Sequence, residues 1–180
     1  MAVTKLERTQ YATFLAKLGF RPRIVCQASL ITASQCRKLF DDLASSGSEV
    51  SKRHGPSGTP CGILKTKKIV LEASVLMVAY IRNLTANYYE NQVDILTYIR
   101  SYQDYLAIRR DMPSAFSGDP IDISDGYILA ESLRTPDNDY VGVMISCPNC
   151  ESYFYSAVSQ KLLRTECPFC MHEFKETEIH

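Results

Sequence analysis

Histidine is scarce in this chain, and neither a nucleophile motif nor a phosphate-binding glycine loop accompanies the three that occur, His54, His172 and His180. Little is left with which to run acid–base or covalent chemistry, so an enzyme is not expected. Long hydrophobic runs are missing as well: the longest apolar stretch, Ile69 to Ile81, is interrupted by Glu72 and Ser74 and is too short to span a bilayer. No charged segment followed by an apolar one opens the sequence, so MAVTKLERTQ reads as the start of a mature protein. No low-complexity tract favours disorder. With 180 residues, 46% of them hydrophobic and 22% charged, the chain is expected to form one well-filled core, or a helical body with a small appendage. A cytoplasmic protein is the expectation, and in that compartment seven cysteines point to metal binding more than to disulfides.

Net charge is zero, yet the charges are unevenly placed. Residues 1–68 carry twelve Lys and Arg against four Asp and Glu, a net +8, and residues 69–180 carry eight against sixteen, a net −8. A basic first third suggests contact with a polyanion, and an acidic remainder suggests contact with protein. Chance clustering on solvated faces is the alternative.

Apolar periodicity predicts a mainly α fold. Tyr11, Phe14, Leu15 and Leu18 recur at helical spacing before Gly19, which predicts a first helix over Thr4 to Leu18. A turn at Arg21-Pro22-Arg23 leads to a short helix around Ile24 to Leu30. Thr32 is a natural N-cap for a third, in which Cys36, Leu39, Phe40 and Leu43 share a face. Ser45 to Gly62 is rich in Gly, Pro and Ser and reads as a linker. Two long helices are expected next, Ile69 to Leu84 and Gln92 to Ile108, the second with Ile95, Tyr98, Ile99, Tyr102 and Leu106 inward and with Pro113 beyond its end. Asp122 or Ser124 caps one more, through Leu133, and Thr135 to Tyr140 reads as a turn. The expected organisation is a helix-turn-helix-like segment over 1–45, a linker over 46–64, a helical body over 65–140 and a metal-binding module over 141–180.

In that last module the pattern changes. VGVMIS and ESYFYSAV are strand-like, and they alternate with CPNC and CPFC. Two Cys-x2-Cys pairs separated by sixteen residues suit two tight turns, each offering a pair of thiolates to one tetrahedral ion, with a strand, a reversal near Ser159 to Leu162 and a return between them. Cys147, Cys150, Cys167 and Cys170 are therefore the expected ligands of one structural zinc in a zinc-ribbon-like fold. Four thiolates leave no open coordination position for catalysis. Iron suits the same donors. Two separate redox pairs would sit near a βαβ pattern, which is absent. His172 is a spare candidate ligand, and Cys26 and Cys36 read as small buried apolar residues.

The stretch IVCQASLITASQCRKLF has a helix-turn-helix layout. With Cys36, Leu39 and Phe40 packed down, Ser34, Gln35 and Lys38 face outward where side chains reach base edges, and Arg37 is placed for a phosphate. Arg21, Arg23, Lys52 and Arg53 would hold the DNA backbone. Packed helices with no DNA partner are the alternative, since the geometry is common and the turn carries Leu30 where Gly is usual.

These segments resemble the FlhC subunits of the FlhD–FlhC transcription activators of bacteria. CPNC and CPFC match that family's zinc site in type, spacing and placement, and FLAKLGFRPRIVCQASLITASQCRKLFDDL is similar to its first three helices, with Leu30, Ser34 and Lys38 to Phe40 on similar positions. The likeness covers most of the chain and is densest over residues 10–45 and 145–170. It departs at PSGTPCGILKTKKIV, in the absence of tryptophan and of a basic tail, which places the chain with divergent members such as those of conjugative elements. The resemblance implies a hetero-oligomer with a FlhD-like helical subunit that binds double-stranded promoter DNA, recruits RNA polymerase and activates flagellar or conjugative-transfer genes. The competing expectation is a zinc-stabilised protein–protein adaptor without DNA contact.

Overall fold

A computed structural model of the chain describes residues 4–51, 58–84, 92–116, 118–134, 141–157 and 166–173. It is mainly helical, with a C-terminal cysteine cluster. Seven helices precede one hairpin among the described residues: α1 Lys5–Lys17, α2 Pro22–Ser29, α3 Ala33–Ser45, α4 Pro60–Ile63, α5 Lys67–Asn83, α6 Ile95–Asp111, α7 Ile123–Arg134, β1 Gly142–Ser146 and β2 Tyr153–Ala157. None of these helices is long and apolar enough to cross a membrane. The chain divides into two compact units, residues 1–57 and 58–180, so the helical body and the cysteine module belong to one unit.

The first unit is a three-helix arrangement in which side-chain caps start α1 and α3 and Pro22 opens α2. Thr4 and Glu7 form a capping box on α1, Thr4 N–H donating to Glu7 Oε2 at 2.7 Å, and that bond holds the Glu7 carboxyl below the ordinary carboxylate range. Buried Ala12, Leu15, Ala16, Phe20, Ile24, Val25, Cys36, Phe40 and Leu43 make the core. The buried stripe of α1 lies one position around from the expected one, and Phe14 is 45% exposed. Side-chain size misleads there, because two alanines supply the close-packed surface.

Between α2 and α3 the chain turns at Leu30, with φ 55° and ψ 37°, the left-handed conformation in which glycine is usual. An L side chain pays about 1–2 kcal/mol there, and Leu30 is 71% exposed, so packing returns little. Leu30→Gly is therefore expected to stabilise the chain by about 0.5–1 kcal/mol once the added unfolded-state entropy is counted, whereas Leu30→Ala keeps the strain. Urea midpoints check this; a lower midpoint for the glycine variant would show that the leucine side chain contributes more than its backbone costs.

The second unit is built around α5, whose Val70, Ala73, Leu76, Met77 and Tyr80 are fully buried, with α6, α7 and β2 packed against it. Thr66 caps α5, Asp94 caps α6, and Asp122 Oδ1 accepts from the Ser124 and Asp125 N–H groups at the start of α7. The inward face of α6 is Ile95, Tyr98, Ile99, Ser101 and Tyr105, whereas Leu106 is 37% exposed. Tyrosine hydroxyls decide this: Tyr98 donates to Ile123 O and Tyr102 to Ile121 O, each at 2.7 Å, and Tyr105 donates to the buried Glu72. The first two bonds pin the approach to α7 and the third ties α6 to α5; at Gly126 the α7 backbone comes close, and a Cβ there would fall 2.6 Å from Leu76 Cδ2. The β1–β2 hairpin is antiparallel, from Gly142↔Ala157 to Ser146↔Tyr153, and sits on α5 and α7. Tyr155 N–H donates to Ser74 Oγ at 3.0 Å, and the Tyr155 hydroxyl meets Ser132 Oγ at 2.6 Å.

Candidate metal centre and the exposed face of the third helix

The two cysteine pairs sit in turns of the same construction. In the first, Glu151 N–H donates to Cys147 O at 2.9 Å and Cys147 N–H to Ser152 O at 3.0 Å; in the second, Met171 N–H donates to Cys167 O and Cys167 N–H to His172 O, both at 3.0 Å. Each turn places a residue with positive φ after its second cysteine, Glu151 at 58° and Met171 at 59°. The effect is to curl the chain so that the two sulfurs of a pair point the same way. β1 delivers the first turn directly. The second is tied by an isolated bridge between Glu166 and Glu173 and by the Lys67–Glu166 ion pair at 2.6 Å, which links it to the start of α5.

The four sulfurs lie within 4.8 Å of one another, and Cys147–Cys170 and Cys150–Cys167 are each 3.7 Å apart. A tetrahedral ion bound at about 2.3 Å requires sulfurs about 3.8 Å apart, so the cage fits a metal ion of that size. Cys147 and Cys167 are buried against Ile145 and Phe154, and Cys150 and Cys170 are half-exposed. Asn149 Nδ2 approaches Cys170 Sγ at 3.5 Å, and Phe169 N–H donates to Cys167 Sγ at 3.4 Å. The Asn149 amide is the chief influence holding the Cys170 thiol down at about 6. Ser152, through its side chain and backbone, lowers Cys150, and burial pushes Cys167 up to about 12. N–H groups aimed at sulfur stabilise thiolates, the form in which cysteine binds metal. His172 is exposed and takes part in the second turn through its backbone, its carbonyl accepting from Cys167 N–H at 3.0 Å. Among the described residues no other His, Cys, Asp and Glu group gathers this tightly.

The face of α3 is the other candidate surface. Ser34, Gln35, Arg37 and Lys38 are all exposed, as is Arg23 on α2. Gln35 is already engaged: its Oε1 accepts from Thr32 N–H at 2.9 Å while its own N–H donates to Thr32 Oγ1, a capping box that starts the helix. A two-bond contact to adenine would require Gln35 to release that cap. Arg21 is buried, with 8% of its surface exposed, at the start of α2, which removes it from the free basic face expected of it. Lys52 and Arg53 lie outside the described residues, as do His54, the expected turn at 135–140 and the reversal at 159–162. Sequence reasoning missed the Asn149 contact to sulfur and the Gln35 cap; the second was visible as Thr-x-x-Gln.

Fold and site together define a mainly helical protein with four cysteines gathered so that they could hold a metal ion. Compared with protein-family models and with curated proteins, the chain matches none.

Proposed function

We propose that the chain is a DNA-binding subunit of a FlhC-type transcription activator, held together at its C-terminal end by one structural zinc ion. The observation that carries this reading is the exposed α3 surface, where Ser34, Arg37 and Lys38 stand beyond a capped helix start in a unit of three short helices, which this reading takes as a helix-turn-helix. Zinc is favoured by four thiolates in a closed cage, which suits an ion that folds a module without reacting. In this reading the chain works in the cytoplasm in a hetero-oligomer with a FlhD-like helical partner, on promoter DNA and with RNA polymerase. Flagellar and conjugative-transfer genes are its candidate targets.

Co-expression with such a partner and footprinting of the purified complex test the reading. Lys38→Ala is expected to lower affinity for the cognate site by about 1–3 kcal/mol and to leave nonspecific binding nearly unchanged. Arg23→Ala should weaken binding to all sequences alike and reduce the slope of affinity against salt. Gln35→Ala is expected to cost the cap of α3 about 1 kcal/mol of stability as well, so its affinity must be read beside its melting curve. If Lys38 and Arg23 variants bind normally while Lys65, Lys67 and Lys68 variants do not, the DNA-contacting element is the basic segment that leads into α5. A protein–protein adaptor is the second reading, supported by exposed Tyr153, Phe169 and Met171 around the metal turns. Association that is insensitive to ionic strength favours it.

A further inference from the structure

Four of the seven cysteines are gathered at the metal centre, and two of the remaining three meet in the first unit. Cys26 lies on α2 and Cys36 on α3, and both line an open groove of about 730 Å³ between the two helices. The Cys36 thiol donates to Pro22 O at 3.3 Å, the carbonyl one helical turn before Cys26. That places its sulfur beside the turn that carries Cys26. Cys36 is 2% exposed, whereas Cys26 is half-buried and open to the groove, with its Sγ 3.0 Å from Ile31 O. Arg23 and Arg37 line the same groove. Of the two cysteines expected to be small buried apolar residues, Cys36 is buried, whereas Cys26 is half-buried at the groove.

We propose that Cys26 and Cys36 are a peroxide-responsive dithiol, separate from the metal ligands, that closes to a disulfide joining α2 to α3. The Cys26 thiolate attacks one oxygen of a hydroperoxide; the O–O bond breaks, an alcohol or water leaves with the proton that Cys26 gave up, and Cys26 becomes a sulfenic acid. The Cys36 sulfur then attacks the sulfenic sulfur, the S–S bond forms, the S–O bond breaks, and the hydroxyl departs as water with the Cys36 proton. Two thiols are oxidised and one peroxide is reduced. The order follows from exposure: Cys26 faces the groove and its two arginines, and burial, with Cys26 beside it, pushes the Cys36 thiol up to about 11 and keeps it protonated until it is needed.

The test uses the full, metal-loaded chain and hydrogen peroxide as the probe, with thiols alkylated before and after reduction, peptides mapped by mass spectrometry and metal content measured. The expected result is a Cys26–Cys36 cross-linked peptide, reversed by dithiothreitol, with the metal retained. In Cys36→Ser a dimedone adduct should accumulate on Cys26, and in Cys26→Ser none should form on Cys36. Mapping in the unaltered chain decides the matter even if a variant folds poorly. The proposal is overturned if Cys26 and Cys36 both stay alkylatable while the metal thiolates oxidise, or if Cys26 pairs with any cysteine other than Cys36. It stands or falls independently of DNA binding.

Discussion

Cys150→Ser is expected to release the metal and unfold the C-terminal turns, with zinc falling from about one per chain to none. Apart from its sulfurs and its own backbone bonds, the described part of the second turn is tied to the rest by the Glu166–Glu173 bridge and the Lys67–Glu166 ion pair. A structural zinc site of this kind contributes about 10–16 kcal/mol of binding free energy, which is folding free energy when the site forms only on folding. Because the hairpin packs on α5 and α7, the loss should reach the helical body, and melting of the whole second unit should shift. Elemental analysis and thermal unfolding check both parts. A metal-free native chain, or a Cys150→Ser protein that melts unchanged, refutes the claim.

The second large effect is expected inside the helical body. Glu72 is 2% exposed in the apolar middle of α5, and its carboxylate is fully engaged. Arg109 Nε stands 2.9 Å from Oε2 and its Nη2 3.1 Å from Oε1, the Tyr105 hydroxyl donates to the same carboxylate, and Arg109 Nη2 also donates to Gly118 O at 2.9 Å. The guanidinium lies over the Phe116 ring, 5.6 Å from its centre. Arg109→Met should leave a buried charge without its partner and cost about 3–5 kcal/mol, as should Glu72→Leu alone. The double change Glu72→Leu with Arg109→Met should recover most of that loss, because two apolar side chains replace two mutually dependent charges. By contrast, Lys67→Ala, which breaks the exposed pair with Glu166, should cost about 0–1 kcal/mol. Urea denaturation of the four proteins measures the set, and equal midpoints for Arg109→Met and Lys67→Ala would overturn it.

How legible the fold was in the sequence depends on what sort of signal each residue carries. Helix starts were readable because caps are local: Thr4, Thr32 and Asp122 act within three residues of themselves. The metal cage was readable because a tetrahedral ion imposes its spacing on the chain. The inward faces were read less well, since apolarity alone does not rank Leu106 below Tyr105, whose partner Glu72 is 33 residues away. That pairing has no local trace, and Glu72 looked like a mere interruption of an apolar run. The short α4 was also hidden, because Thr59 and Pro60, which start it, lie in a stretch whose Gly and Ser content indicates a linker. In the first unit the burial of Arg21 could not be read, because it depends on how the helices pack.

The matched construction of the two cysteine turns bears on how the ion comes and goes. In each turn the first cysteine, Cys147 or Cys167, is buried and the second, Cys150 or Cys170, is half-exposed, so the cage has a closed floor and an open rim. Were an ion held there, a chelator would meet the half-exposed sulfurs of Cys150 and Cys170 before the buried ones of Cys147 and Cys167, so removal would begin at the rim.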